Sequence, residues 1–217
     1  MPDRIVELKP RPRERVRVTL TGGRFFTIPA REAEALAEAL AEGAVLSDED
    51  VLRLDWMDQY LRGRDKAVGM LSRRARSRHE VETALSAAGI ATSIREGLLS
   101  ELEELGLVDD LRFAREYVRV KSDVKRLGPH RLRHELRRLG VRRTIVESVL
   151  SESFDSDAQL RMAREVARRR LGEGPVDERA ARRLADQLRR KGFDYEVVNS
   201  VVYEFLHRSR TGPGGEQ

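Results

Sequence analysis

Cysteine is absent from the sequence, so disulfide bridges and thiolate metal sites are excluded. Aromatic residues make up only 5% of the chain, which suits small helical units with thin cores better than a sandwich or barrel. No apolar run approaches the roughly 20 residues that span a bilayer. The N-terminal stretch MPDRIVELKPRPRERVRVTL also lacks the apolar segment of a signal peptide. We therefore expect a soluble, cytoplasmic protein.

Charge is abundant but unevenly distributed. Charged residues make up 36% of the 217 residues, and the formal net charge is +5. Acidic residues dominate residues 30–60, whereas the ten Lys or Arg from Arg119 to Arg143 are accompanied only by Asp123 and Glu135. This asymmetry favours an acidic or polyanionic partner for the middle and C-terminal parts. The solvated helix faces of a protein rich in Arg and Glu are the alternative explanation.

The N-terminal part predicts a small mixed module. Three prolines predict a flexible leader over residues 1–14. The alternating stretches RVRVTL and RFFTIP flank a Gly-Gly pair and predict a β-hairpin, which AREAEALAEALAEG follows as a helix. Ser47 and Asp50 have the spacing of a helix start ahead of VLRLDWMDQYLRG. The module therefore spans residues 15–64, and Trp56 is expected in its core.

Three later stretches repeat one pattern: VETALSAAGIATSIREGL, LRHELRRLGVRRTIVESV and LADQLRRKGFDYEVVNSV. Aligned without gaps, they share apolar positions four residues apart, a glycine followed by an apolar residue, and a second apolar pair. They start at Val81, Leu132 and Leu184, and a further helical stretch precedes each of them (DKAVGMLSRRA, LRFAREYVRV and LRMAREVARRRL). A fixed period of about 50 residues is typical of tandem structural units.

The expected fold class is mainly α, with the N-terminal β-hairpin and helix module placed before an array of repeats. We predict three tandem three-helix repeats over residues 65–110, 111–155 and 156–208, and a disordered tail over residues 209–217. Each repeat should be about 25 Å across by compact-chain scaling. Three in a row then form an elongated array of roughly 70–80 Å, in which each repeat contacts its neighbours.

The ends of the repeated helices carry recognisable signals. The shared glycine follows the last buried position of its helix, where it is expected to form a left-handed C-cap. The next helix is expected to start with a capping box, formed by Ser93 with Glu96 in repeat 1 and by Thr144 with Glu147 in repeat 2. Pro129 suits the first turn of the second helix of repeat 2.

The outward positions of the second helix differ between repeats, although the buried ones are shared. With Leu132 and Leu136 on the buried side of a helical wheel, the outward residues of repeat 2 are the basic His134, Arg137 and Arg138. The equivalent residues are Asp186, Arg189 and Arg190 in repeat 3, and the neutral Thr83, Ser86 and Ala87 in repeat 1. Because the fold tolerates a neutral face, we predict that the basic residues serve a partner.

Arginine suits bidentate binding of carboxylates or phosphates, so this face does not choose between an acidic protein and a nucleic acid. The predicted partner-binding residues lie on the second helices of repeats 2 and 3 and on the segments next to them. They are Arg119, Lys121, Lys125, Arg126, Arg131, His134, Arg137, Arg138, Arg142, Arg189 and Arg190.

No catalytic site can be constructed from the sequence. A phosphate-binding loop of the GxxxxGK[ST] type is absent, and TGGRFF is a turn within the hairpin pattern. His79 and His134 each precede a Glu but lack the second His of an HExxH zinc site. Asp109-Asp110 is expected to cap the following helix rather than to bind Mg²⁺. We therefore expect a protein that is not an enzyme and holds no cofactor or metal.

Sequence-specific reading of DNA by the third helix of each repeat is also disfavoured. In repeat 1 this helix, SIREGLLSELEELG, is acidic, and in repeat 3 the stretch DYEVVNSVVYEFLH has almost no cations. DNA phosphates would repel the first and gain little from the second. Nonspecific contact through the Arg-rich faces of repeats 2 and 3 stays open.

Three stretches in repeats 1 and 2 resemble the RecX family of regulators of the RecA recombinase: RRARSRHEVETAL, GLVDDLRFAREYV and LGPHRLRHELRRLGV. The resemblance covers residues 64–155 well and the third repeat loosely, and the N-terminal module is similar to a variable leader found in part of the family. It implies a non-enzymatic inhibitor in DNA repair, homologous recombination and the SOS response. Such proteins bind in the groove of the RecA–DNA filament and inhibit ATP hydrolysis, coprotease activity and strand exchange.

Two other hypotheses remain open at this point. The chain could bind nucleic acid nonspecifically on its own, in which case its affinity for naked DNA should fall steeply with salt. It could also be a helical scaffold for a different acidic partner. Under the preferred hypothesis the partner is the RecA filament, with DNA as a possible second contact, and the protein is a monomer that does not associate with membranes.

Overall fold

In a computed structural model, residues 3–36, 40–172 and 176–208 can be described. The chain divides into two compact units, formed by residues 1–76 with 80–108 and by residues 77–79 with 109–217. Three strands come first: β1 (Ile5–Arg11), β2 (Arg15–Leu20) and β3 (Phe25–Pro29). The helices of the described residues follow as α1 (Ala30–Ala35), α2 (Asp48–Leu71), α3 (Arg78–Ala87), α4 (Thr92–Glu104), α5 (Asp110–Lys125), α6 (Pro129–Arg138), α7 (Arg143–Ser153), α8 (Ser156–Leu171), α9 (Glu178–Lys191) and α10 (Tyr195–Arg208).

The N-terminal sheet has three antiparallel strands in the order β1-β2-β3, where the sequence predicted a hairpin of two. The expected flexible leader is wrong for Ile5–Arg11, because these residues form β1. Ile5 is fully buried and joins the core of the module. Pro10 is compatible with β1 because an edge strand can contain a residue without a backbone N–H.

A single helix, α2, crosses the predicted boundary between the N-terminal module and repeat 1. It begins with the expected capping box, in which Ser47 accepts a hydrogen bond from the N–H of Asp50 and the carboxylate of Asp50 accepts one from the N–H of Ser47. It continues through Gly63, next to the predicted end of the module at residue 64. A Cβ at position 63 would lie 2.6 Å from the side chain of Leu98, so this glycine permits a close helix contact and does not end the helix.

The prediction that Trp56 anchors the core is wrong. Its side chain is 51% exposed and stacks on Tyr60, with ring centroids 5.3 Å apart and planes 9° from parallel. The face of α2 that packs on the sheet instead presents Leu54 and Met57, which join Val18 of β2 in the core of the module.

The repeated pattern marks equivalent buried positions in three helix triplets. Repeat 1 uses the C-terminal half of α2 with α3 and α4, repeat 2 uses α5 to α7, and repeat 3 uses α8 to α10. The first two apolar positions of the pattern are completely buried in every repeat: Val81, Leu85, Leu132, Leu136, Leu184 and Leu188. The shared glycines have φ values of 72°, 77° and 87°, as the predicted left-handed caps require.

The helix starts confirm some predicted caps and contradict others. Asp109 caps α5 by accepting a hydrogen bond from the N–H of Arg112, and Pro129 lies in the first turn of α6. The capping boxes predicted for Ser93 and Thr144 are wrong, because α4 and α7 begin two residues earlier than that spacing requires. Their N-cap residues are Ala91 and Arg142, neither of which forms a side-chain cap. The predicted tail, residues 209–217, lies outside the described residues.

Within the second unit, the start of α6 contacts the end of α9 through the main chain. The N–H of Gly128 donates to the carbonyl of Lys191 at 2.7 Å, and the N–H of His130 donates to the carbonyl of Gly192 at 3.0 Å. A Cβ on Gly192 would lie only 2.3 Å from the backbone nitrogen of Arg131. Repeats 2 and 3 are therefore joined at a site where only glycine fits.

We predict that Gly192→Ala destabilises the protein by about 3 kcal/mol, since a left-handed backbone costs an L-residue 1–2 kcal/mol and overpacking adds 1–3 kcal/mol. Gly89→Ala is the matched control. It changes the same repeat position, also at positive φ, but has no atom within 4 Å of the added methyl group. It should cost about 1 kcal/mol. Urea unfolding measures both, and equal losses would show that the α6–α9 junction does not constrain position 192.

Candidate partner-binding surface

Helix α6 divides sharply into a buried and an exposed side. Leu132 and Leu136 are completely buried, whereas His134, Arg137 and Arg138 are exposed. The basic residues that the helical wheel assigned to the outside therefore lie there. Their role in binding a partner stays a prediction.

Two arginines on the flanks of α6 are held by carboxylates of their own repeat. Arg131 donates to Glu135 at 2.9 Å, and Arg133 donates to both carboxylate oxygens of Glu147 at 3.0–3.2 Å. Burial acts to raise the pKa of Glu135, but hydrogen bonds from Tyr117 and Arg131 outweigh burial and lower it. Arg131, one of the predicted partner residues, thus belongs to an internal ion pair.

Arg137 and Arg138 differ from their neighbours because, among the described residues, neither forms an ion pair or a side-chain hydrogen bond. Arg138 lines a shallow groove together with Lys121, Tyr117 and Glu135. The structure thereby brings together two predicted residues from different helices, since Lys121 lies on α5 and its ammonium group stands 5.1 Å from the ring centroid of Tyr117.

The other predicted residues on α5 and at its end are more engaged. Arg119 donates twice to Glu116, at 2.7 and 2.9 Å, and these bonds lower the pKa of Glu116. Arg126 ends α5 in a left-handed conformation and forms an ion pair of 2.9 Å with Glu165 of α8. Lys125 is exposed, and its carbonyl accepts a hydrogen bond from the ammonium group of Lys191. Arg126 therefore contributes to the packing of repeats 2 and 3.

In repeat 3, the outward face of α9 corresponds to that of α6 but has one unpaired cation fewer. Arg189 and Arg190 are exposed, as is Asp186, but Arg189 lies 3.5 Å from Asp186 across one turn of α9. Arg190 has no ion-pair partner in the described part of the chain, and the same holds for the exposed Arg142 at the start of α7. The equivalent face of α3 in repeat 1 exposes Thr83, Ser86 and Ala87.

Sequence reasoning missed how the carboxylates divide the arginines into two groups. The spacing of Arg131 and Glu135, four residues apart on one helix, was a usable signal for the first pair. The pair between Arg133 and Glu147 had no such signal, because it joins two helices. Glu147 was predicted instead to form a capping box with Thr144. Only Arg137, Arg138, Arg142 and Arg190 remain as exposed arginines of the predicted set without an internal acceptor among the described residues.

Neither a metal site nor a membrane span was found in the described residues. No group of three or more His, Asp or Glu side chains there could hold a metal ion. No helix in residues 3–36, 40–172 and 176–208 is long and apolar enough to cross a bilayer. The basic outward faces of α6 and α9 form the candidate partner-binding surface.

The fold and this surface define a class: a protein of tandem three-helix repeats with a basic outer face on the second helix of repeats 2 and 3. Models of the second and third three-helix domains of RecX match residues 109–150 and 157–202. A regulatory protein RecX from Amycolatopsis mediterranei is 35% identical over 151 residues, which cover 69% of this chain and 86% of that protein. One from Stenotrophomonas maltophilia is 38% identical over 138 residues, 63% of this chain and 83% of that protein. The chain belongs to the RecX family.

One longer relative and two crystal structures are also similar to this chain. The chain spans 61% of the regulatory protein RecX of Geobacillus kaustophilus, to which it is 32% identical over 165 residues. A crystal structure of regulatory protein RecX matches with a TM-score of 0.66 at 22% identity, covering 92% of this chain and 98% of that one. RecX from Lactobacillus salivarius matches with a TM-score of 0.58 at 24% identity, covering 68% and 97%. These two likenesses show the fold.

We predict a pH-dependent contribution to stability from the pair of Arg133 and Glu147. The hydrogen bonds from Arg133 lower the pKa of Glu147, and the charges of Arg143 and Arg137 act in the same direction. A lowered pKa stabilises the folded state above the ordinary glutamate pKa of about 4.3, and this stability is lost as pH falls through the lowered value. Arg133→Gln should therefore cost about 0.5 kcal/mol at neutral pH, as is usual for an exposed pair, and almost nothing in acid.

The measurement is urea unfolding of wild type and variant at neutral pH and below the pKa of Glu147, together with carboxyl NMR titration of Glu147. Arg143→Gln is the control, because Arg143 acts only through its charge and should shift the titration less. A Glu147 titration that is the same in wild type and Arg133→Gln would contradict the pairing.

Proposed function

We propose that this protein binds RecA filaments assembled on DNA and inhibits their ATPase, coprotease and strand-exchange activities, acting in the cytoplasm as a monomer and without catalysis of its own. One observation carries the proposal. Helix α6 exposes Arg137 and Arg138 without an internal acceptor among the described residues, whereas the same face of α3 is neutral. Membership of the RecX family supplies the partner, and the surface supplies a means of binding it.

The fold does not require the charges of Arg137 and Arg138. Repeat 1 keeps its core with Thr83 and Ser86 in the equivalent places, so the repeat itself does not need these charges. Two arginines kept without an internal carboxylate are suited to bidentate contacts with an external carboxylate or phosphate. A nucleoprotein filament offers both.

The first test is a titration of RecA ATPase activity on single-stranded DNA with this protein. We expect the rate to fall progressively and to be largely suppressed at a several-fold molar excess, because bound regulator holds the filament in one state. An unchanged ATPase rate at that excess would count decisively against the proposal. The control is the same titration with RecA lacking DNA, which gives the background rate.

The second test addresses the surface itself. Arg137→Glu with Arg138→Glu should weaken inhibition by at least about tenfold, since two charge-assisted contacts of roughly 1 kcal/mol or more each are replaced by repulsion. Arg53→Glu with Lys66→Glu is the matched control. It reverses two exposed charges on α2 and should leave inhibition unchanged. Full inhibition by the α6 variant, with its circular dichroism and melting temperature intact, would show that the face on α6 is not the binding surface.

The stand-alone nucleic-acid hypothesis predicts a different pattern for the same α6 variant. Its affinity for naked duplex DNA would fall together with inhibition, and wild-type binding would lose on the order of 10³-fold between low and moderate salt if six or more phosphates are contacted. Weak, salt-insensitive binding of naked DNA together with strong inhibition supports the filament as the partner.

A further inference from the structure

The outward face of the N-terminal sheet is a second basic surface, in the other unit of the protein. Its residues follow from the strand register, in which Glu7, Thr19 and Phe25 form one row across the sheet. The next two rows are Lys9, Arg17 and Thr27, then Arg11, Arg15 and Pro29. Because side chains alternate along a strand, these nine residues share the face opposite the buried Val18 and Phe26.

Four of these nine residues are cations, and one is an acid. Lys9 and Arg17 are directly opposite each other, as are Arg11 and Arg15. Arg15 is held by Asp65 through two hydrogen bonds of 2.6 and 2.8 Å. Within the described residues, the other three form no ion pair. Directly opposed like charges destabilise a sheet, so the face is better suited to an anion from outside than to the sheet alone.

The same face carries an aromatic platform. Phe25 is 48% exposed at the end of the first row, and the guanidinium carbon of Arg17 lies 4.1 Å from its ring centroid. A planar cation over an exposed ring offers two flat surfaces on which a nucleobase can stack. By contrast, α6 itself contains no Phe, Tyr or Trp, and the ring beside it, Tyr117 of α5, is half-buried with its hydroxyl bound to Glu135.

We infer that the outward face of this sheet, formed by Lys9, Arg11, Arg17 and Phe25, binds single-stranded nucleic acid. Cations for the backbone beside an aromatic ring for the bases are the combination that single strands require. A duplex keeps its bases stacked inside and would leave Phe25 unused. An acidic protein surface would use the cations but has no particular need for the ring.

The proposal is tested by fluorescence anisotropy of the full chain with a labelled single-stranded DNA of mixed sequence, without any recombinase. Lys9→Gln with Arg17→Gln should weaken binding by about tenfold or more at low salt and reduce the slope of log affinity against log salt by roughly 1.4, or 0.7 for each phosphate contact. Phe25→Ala should weaken binding by about fivefold or more, as expected for the loss of one stacked base.

Each variant has a matched control in the same unit. Arg53→Gln with Lys66→Gln removes two exposed charges from α2, and Trp56→Ala removes an aromatic residue that is 51% exposed, close to the exposure of Phe25. Both controls should bind single-stranded DNA as wild type does. Circular dichroism and melting temperature establish that each variant is folded. Lys9 and Phe25 are exposed, whereas Arg17 is half-buried. The Phe25→Ala variant, which changes only an exposed side chain, is therefore expected to fold.

Three results would overturn the inference. They are an absence of wild-type binding at low salt, equal binding by the sheet variants and their controls, or loss of binding on removing the charges while Phe25→Ala binds as wild type does. The last outcome would indicate a site for anions in general, such as an acidic protein surface. Because no recombinase is present, failure here leaves the proposed inhibition of RecA untouched, and failure of the ATPase titration leaves this surface untouched.

Discussion

Main-chain contact between the start of α6 and the end of α9 is the constraint on which the basic surface depends. The last carbonyls of a helix lack partners within the helix. Here Lys191 and Gly192 give their carbonyls to the N–H groups of Gly128 and His130, so repeat 2 completes the hydrogen bonding of repeat 3. Because this junction uses backbone atoms and a glycine without a side chain, the outward side chains of both helices are free to vary.

A count of charges in the sequence overstates the cations that are available to a partner, because carboxylates of the same unit bind several of them. Of the ten Lys or Arg from Arg119 to Arg143, Arg126 is bound to Glu165, Arg131 to Glu135 and Arg133 to Glu147. These pairs hold helices or orient side chains within the second unit. Arg119 is likewise bound to Glu116, whereas Arg137, Arg138 and Arg142 form no ion pair in the described part of the chain and are available to the partner proposed above.

The sequence was sufficient to predict the repeats but not the pairs. A period of about 50 residues identified the completely buried Leu85, Leu136 and Leu188, because burial leaves the same apolar spacing in every copy. Ion pairs between helices leave no spacing of this kind, which is why Glu147 was assigned to a cap. Strand β1 was missed because its prolines suggested a leader, although an edge strand accepts them. Trp56 was placed in the core by residue type alone.

The basic face of the N-terminal sheet could not be predicted from the sequence either. In the sequence, the helical part of the N-terminal module is acidic, and the part that forms strands is broken by prolines and glycines. Neither part therefore indicated a binding surface. The two-residue alternation of β2 nevertheless sends Arg15 and Arg17 to one face and Val18 to the other. Pairing with β1 and β3 then adds Lys9 and Phe25 to that face. From Ile5 to Pro29 six Lys or Arg accompany only Glu7 and Glu14, and the sheet gathers four of these cations on one face. The two basic surfaces therefore differ in chemistry: the ring of Phe25 on the sheet is exposed, whereas the ring of Tyr117 beside α6 is half-buried and its hydroxyl donates to Glu135.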